Sequence, residues 1–334
     1  MTGSFGLPTL AQTRALQANV TQTKRDLQTA QTEAVTGRAA NIADELNGDI
    51  AKAQQLQKLI QDSFGYDSSI QFAKSELATA QLSLSNVTDG ASTLAVSLKG
   101  AVEALDETTI EARSIEAENR LSAAFAQLNS SFGGRYLFSG ETVTTPPLGD
   151  VSTLITDVNN IIVAGPDSAT IIAALDTYFE TPGAGFDAAL YNGATDFAPS
   201  REISPGRRLG LEATAVDQGI KDVLRGLATI AIADSMTPGA DRDAVLQDGA
   251  DALLDGENSV ITLQNRIGAI EEQLAIAETS NSAQRFTYEQ NFNALLEKDE
   301  FEAATLMRNL ETQLEASYLT ASRIAGLSLV NYLR

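Results

Sequence analysis

The carboxylates Asp241, Asp243, Asp248, Asp251 and Asp255 fall within one short stretch, the arrangement in which a calcium loop gathers oxygen ligands. The spacing fails that test. Counting from Asp241, Val245 holds the fifth position and no glycine the sixth, so the stretch reads as a solvated helix face. Glu271-Glu272 and the run Glu297–Glu302 read the same way. Gly133-Gly134 lacks the spacing of a phosphate loop and reads as a helix stop ahead of a strand. Arg207-Arg208 follows Pro205-Gly206 and suits a turn, two cations being few for an anion site. Histidine and cysteine are both absent, which removes the commonest general base, the thiolate nucleophile and the usual zinc ligands. No catalytic, metal-binding or cofactor-binding residue is expected, and no enzyme.

The rest of the composition narrows the partners. The net charge of −21 is spread along the chain, so nucleic acid is excluded as a partner, since phosphate binding needs clustered Lys and Arg. No apolar run approaches the ~20 residues that span a bilayer, so no membrane association is expected. Met1–Pro8 lacks the basic and apolar regions of a secretory signal, and any export is expected to read no cleavable peptide. An apolar content of 43% rules out global disorder, but 6% aromatics and no Trp suit long helices better than a thick core.

Proline sets the layout. All but Pro8 lie between Pro146 and Pro238, leaving a proline-free arm on each side of a proline-rich middle. In the first arm Ile70, Ala73, Leu77, Ala80, Leu84, Val87, Ala91, Leu94, Leu98, Ala101 and Leu105 alternate in steps of three and four, a coiled-coil seam. Ile42, Leu46, Ala53, Leu56 and Ile60 form a similar face upstream, with Ser63-Phe64-Gly65 as a weak point. One helix over 42–103 would run ~90 Å. In the second arm Val260, Leu263, Ile267, Ile270, Leu274 and Ala277 continue the step, after which Asn281, Gln284 and Asn291 turn the seam polar before Leu295. Asp299 is expected to cap a last helix with Ala303, Met307, Leu310, Leu314, Ala321 and Ile324 on one face. The first helix, Thr9–Thr36, carries a thin stripe of Leu16, Val20, Thr23, Leu27, Ala30 and Ala34. So thin a stripe is expected to leave it frayed unless it finds a partner, the last helix being the natural one. In the middle, Val151–Val163 and Ser168–Phe179 read as helices capped by Asp150 and Asp167. Arg135–Phe138 and Glu202–Leu211 have strand character and would close the insertion if they paired with each other. The fold class is mainly α: elongated antiparallel helical coiled-coil rods from both chain ends, a small α+β inserted domain and a short β-hairpin.

Gly134, Arg135, Tyr136, Leu137, Phe138 and Gly140 form a G-R-Y-L-F-x-G segment, and Asn331, Tyr332 and Leu333 close a stretch similar to S-L-L-N-Y-L. In both, the chain resembles the flagellin family, in particular its members at the hook–filament junction. Leu306, Leu310, Leu314, Ala316 and Ser317 sit where the family's terminal helix has its pattern, and Val35–Arg38 is similar to its S-T-G-K/R turn. The family's P-S-D-D-P stretch is replaced by Ala39–Leu46, so the spoke after the first helix is expected to be more continuous. The resemblance implies a subunit of the bacterial flagellum, secreted and extracellular, exported by the flagellar type III pathway. It implies inner-tube helices at 1–40 and 299–334, rod halves at 41–140 and 205–298, and an exposed insertion at 141–204, so that deleting part of 150–198 is expected to harm neither assembly nor the folded arms. Leu16, Val20, Leu27, Met307, Leu310, Leu314 and Ile324 would form the assembly interface; Ile70, Leu77, Leu84, Leu94, Leu98, Ile267, Ile270 and Leu274 the rod core. Implied partners are copies of itself, a hook-associated protein on the hook side, flagellin on the filament side and an export chaperone. Filament flagellin shares both arms and is the alternative, a secreted coiled-coil effector or adhesin the second one.

Overall fold

The computed structural model describes residues 10–46 and 50–332. The helices are α1 (Leu10–Thr36), α2 (Ile42–Glu45), α3 (Ala51–Thr88), α4 (Ala91–Ala104), α5 (Glu107–Leu128), α6 (Val151–Ala164), α7 (Ser168–Glu180), α8 (Phe186–Leu190), α9 (Gln218–Ala233), α10 (Ala240–Leu296) and α11 (Glu300–Tyr332). Two hairpins complete the mainly α fold: β1 (Ser131–Phe132) with β2 (Arg135–Tyr136), and β3 (Arg201–Ser204) with β4 (Arg207–Leu209). The chain divides into two compact units, one drawn from the chain ends up to Ser63 and from Ser282, the other Phe64–Asn281; α3 and α10 contribute residues to both.

The first-arm seam is buried from Ile70 through Ala101, Leu77, Leu84, Leu94 and Leu98 being fully covered. It is carried by two helices rather than one. The break falls at Asp89-Gly90, where Gly90 takes φ +67° and the Arg120 guanidinium of α5 donates to the Asp89 carbonyl. Ser63–Gly65, the expected weak point, is uninterrupted helix. Leu105 leaves the seam altogether: α4 stops at Ala104, and Leu105 is exposed with a left-handed backbone. Asp106 then starts α5 by accepting from Thr109 N at 3.2 Å. In the second arm Val260, Ile267, Ile270 and Leu274 are buried. Asn281 is buried too and donates to Asp67 at 2.6 Å, whereas Gln284 and Asn291 are exposed and Leu296, not Leu295, is buried.

The strand segments do not pair with each other. Gly133 and Gly134 both take positive φ (58° and 79°), the two-residue turn that closes a tight hairpin, so β2 folds back on β1 at once. Pro205-Gly206 closes β3 onto β4 likewise. Beyond the second hairpin, Ala215 N donates to Phe138 O at 2.9 Å. Asp150 and Asp167 cap α6 and α7 as expected, accepting from Ser152 N and Thr170 N at 2.9 Å.

Helix α9, bounded by Asp217 and Asp234, organises this unit. Its Ile220, Val223, Leu224, Leu227 and Ile230 are buried, and α5, α6 and α7 all pack against it. Against α10 the contact is backbone to backbone: a methyl on Gly226 would stand 2.7 Å from Gly249 O, and one on Gly256 2.5 Å from Val223 N. Two buried cations of α9 reach the insertion helices. Lys221 meets Asp187 of α8 at 3.4 Å, and Arg225 meets both Asp176 of α7 and Asp248 of α10 at 2.7 Å. Leu154, Val158, Leu175 and Phe179 of the insertion belong to the same apolar core as α5 and α9.

Cutting into 150–198 would therefore uncover that core, strand Lys221 and take one of the two carboxylates from Arg225, contrary to the expectation that the arms would not feel it. We predict that Leu175→Ala, a fully buried site, lowers unfolding free energy by about 2–5 kcal/mol. Circular dichroism should show a single melting transition moved as a whole. A body melting at its original temperature would show that the insertion folds separately.

Candidate assembly surfaces

The terminal helices meet along their thin stripes. On α1, Thr23 and Ala30 are buried and Leu16, Val20, Leu27 and Ala34 half-buried. On α11, Ala303 is buried and Met307, Leu310, Leu314 and Ala321 half-buried. Ile324, Asn331 and Tyr332 continue α11, and Leu333 lies outside the described residues. The helices run antiparallel, Gly37 beside Glu300 and Leu27 in one groove with Leu314. The buried Thr23 hydroxyl is satisfied inside its own helix, donating to Asn19 O at 2.9 Å. The first helix runs unbroken from Leu10 to Thr36, and its partner is α11.

The turn beside this pair is closed by backbone and charge together. Ala39 N donates to Leu296 O at 2.8 Å, and Lys298 N to Gly37 O at 3.0 Å. Glu33 accepts from Ala40 N at 3.0 Å, while Lys298 Nζ lies 2.5 Å from Glu45, whose hydrogen bond raises the lysine pKa. Asp299 caps α11 by accepting from Phe301 N at 2.8 Å. The spoke is not continuous: α1 ends at Thr36, and Asn41 starts the separate α2 by accepting from Ala43 N.

What the pair leaves uncovered matters as much. Tyr318 and Leu319 edge the groove of Leu27 and Leu314 at more than half exposure, and Phe301 and Val35 are over 80% exposed. The helix pair thus leaves four large apolar side chains open to solvent.

Within Gly134–Gly140, Gly134 is exposed, Arg135 and Tyr136 are half-buried, and the second half is buried. Leu137, Phe138 and Ser139 are covered, and Gly140 takes φ +62° with room for no side chain, since an added methyl would lie 2.2 Å from Ala194 O. Around it Ala194 N donates to Ser139 O at 3.0 Å and Glu141 N to Asp196 O at 3.0 Å. Tyr191 donates to Ala194 O at 2.7 Å, and burial, with Asp217 and Asp187 adding to it, pushes its hydroxyl up to about 12. The segment pins the end of the insertion.

Among the described residues no carboxylates converge in a group able to hold a metal ion, and no helix is long and apolar enough to cross a membrane. The acidic stretch at 241–255 is less solvated than its composition suggests. Asp241 accepts from Ser168 N and Oγ at 3.0 and 2.8 Å, and Arg242, almost wholly buried, grips Glu107 with two bonds of 2.7 Å. That grip, chiefly the hydrogen bonding, lowers the Glu107 pKa. Lys221 and Arg225 escape a sequence reading, although the three- and four-residue spacing from Ile220 to Ile230 could have flagged their helix.

Residues 8–142 match the family described as the bacterial flagellin N-terminal helical region, a family of structural, non-enzymatic proteins. No protein of curated function matches the chain. Among solved structures, a Vibrio parahaemolyticus protein described as flagellar hook-associated shares the fold, with a TM-score of 0.54 and 17% identity over 72% of this chain and 95% of its own. Bacillus cereus FlgL aligns with a TM-score of 0.42 and 17% identity, over 75% of this chain and 100% of its own.

The pairing of α1 with α11 within one chain yields a test. Leu27→Asp and Leu314→Asp should each loosen both helices by on the order of 1–3 kcal/mol, read as faster amide exchange across α1 and α11. Exchange in 64–281 should not change. Unaltered protection of α1 would show that its partner lies elsewhere.

Proposed function

We propose that this chain is a structural, non-enzymatic subunit of the bacterial flagellum, lying outside the cell between hook and filament. The observation that carries this reading is a coincidence of place. The flagellin-type segment begins in a terminal helix whose antiparallel partner is the other chain end, and that pair still exposes Tyr318, Leu319, Phe301 and Val35. A thin stripe satisfied within the chain, with large apolar residues left beside it, suits a helix pair that packs against further helix pairs. Copies of the chain would supply them, with a hook-associated protein on the hook side and flagellin on the filament side. An export chaperone would hold the apolar ends before assembly.

The junction place in particular draws on Gly134–Gly140 and on Asn331, Tyr332 and Leu333, through which the sequence resembles junction members more than filament flagellin. Hook and filament pack differently, so a subunit must bridge them before a filament can grow.

A strain lacking the gene should make hooks without filaments and release flagellin into the medium. Bare hooks with no major flagellin outside the cell would instead identify the chain as filament flagellin. Normal filaments would overturn both readings and point to an effector or adhesin.

A further inference from the structure

Charge is unevenly neutralised in the unit Phe64–Asn281. Its lysines and arginines are salt-bridged to carboxylates, with the exception of Arg135, Arg201, Arg207 and Arg208, which all lie on the two hairpins. The contacts of these four are neutral. Arg201 stacks on Phe72 at 3.7 Å from the ring centre, and Phe72 meets Phe132 of the first hairpin edge-on at 5.1 Å, so both hairpins share one platform on α3. Arg207 donates to Gln273 Oε1 at 3.0 Å; Arg208 donates to Ser200 Oγ at 3.4 Å and to the Ser200 carbonyl. The Nε atoms of Arg135 and Arg201 are buried without a hydrogen-bond partner.

Two acids lie close by. Glu76 is buried, and burial raises its pKa against the opposing pull of Arg135 and Arg201. Glu202 lies opposite Arg208 in the ladder and accepts from Gly206 N at 3.2 Å. Neither forms a salt bridge with the four arginines, and on a chain of net charge −21 Arg207 and Arg208 stand exposed without a carboxylate partner.

We propose that the hairpin arginines form a docking patch for the carboxylate-rich surface of a second copy of this chain, an inference that rests on the self-assembly reading above. Chains of one strong sign repel, so close packing of copies requires somewhere a patch of the other sign. Complementary charge then fixes which faces meet. The hairpins are suited to the task, because Phe72 and the tight turns hold the guanidinium groups in place before any partner arrives.

The test is sedimentation of the purified full chain at low and high ionic strength, beside Arg207→Glu/Arg208→Glu and Arg207→Lys/Arg208→Lys. Both positions are exposed, and a thermal melt of each variant verifies its fold. Salt screens the long-range repulsion between chains of net charge −21 more than it weakens contacts at the patch, so the unmodified chain should self-associate at the higher ionic strength; there the Glu pair should weaken association roughly 100-fold, and the Lys pair should stay near the unmodified chain. Equal association of the Glu pair overturns the proposal. So does a chain that stays monomeric at both ionic strengths, or one that binds vesicles of anionic lipid without self-associating. None of these outcomes bears on the phenotype of the deletion strain, so the flagellar reading stands or falls separately.

Discussion

Helix α9 has almost no face turned to water, and the unit Phe64–Asn281 depends on how that helix is surrounded. Its glycine contacts with α10 bring two backbones closer than any side chain would permit. Its apolar positions are divided among α5, α6 and α7, so no single neighbour could be lost without opening the core. Burying Lys221 and Arg225 costs more than it gains unless each finds a carboxylate, and the carboxylates come from α7, α8 and α10. Burial raises the Asp248 pKa against the opposing pull of Arg225. The insertion is thereby fixed to the arms by apolar contact and by charge at once.

The other unit obeys a different rule. Its helices are long, but their stripes are thin, with Thr23 and Ala30 standing where a core helix would carry leucine. Such a pair is stable enough to form and too small to cover its own apolar residues. Between the two behaviours lies the functional argument: one unit closes on itself, and the other is left wanting neighbours. Subunits of a polymer need both, a rigid body to set geometry and an incomplete surface to join copies.

Much of this was legible in the sequence because it depends on local spacing. Both seams, the caps at Asp150, Asp167 and Asp299, and the pairing of the two weak end helices follow from side-chain period and polar caps. What escaped depends on contacts distant in the chain. The break at Asp89-Gly90 is fixed by Arg120 on another helix, and Leu105 looks like a seam residue until Asp106 starts a new helix beside it. Gly133-Gly134 was readable as a stop, but its positive φ makes it a hairpin turn instead. The buried state of Arg242 and Arg225 could not be seen without Glu107 and Asp176, because a charged residue on a helix is ordinarily exposed. The tyrosine-containing segment drew notice as a family mark; its physical reason, a glycine against two carbonyls, appears only in three dimensions.

We propose that this chain sits between hook and filament with residues 141–204 exposed. Immunogold labelling of intact flagella with an antibody raised against residues 141–204 should then give one narrow band of gold where the hook ends and the filament begins. Gold along the whole filament, or none on the flagellum, would overturn that placement.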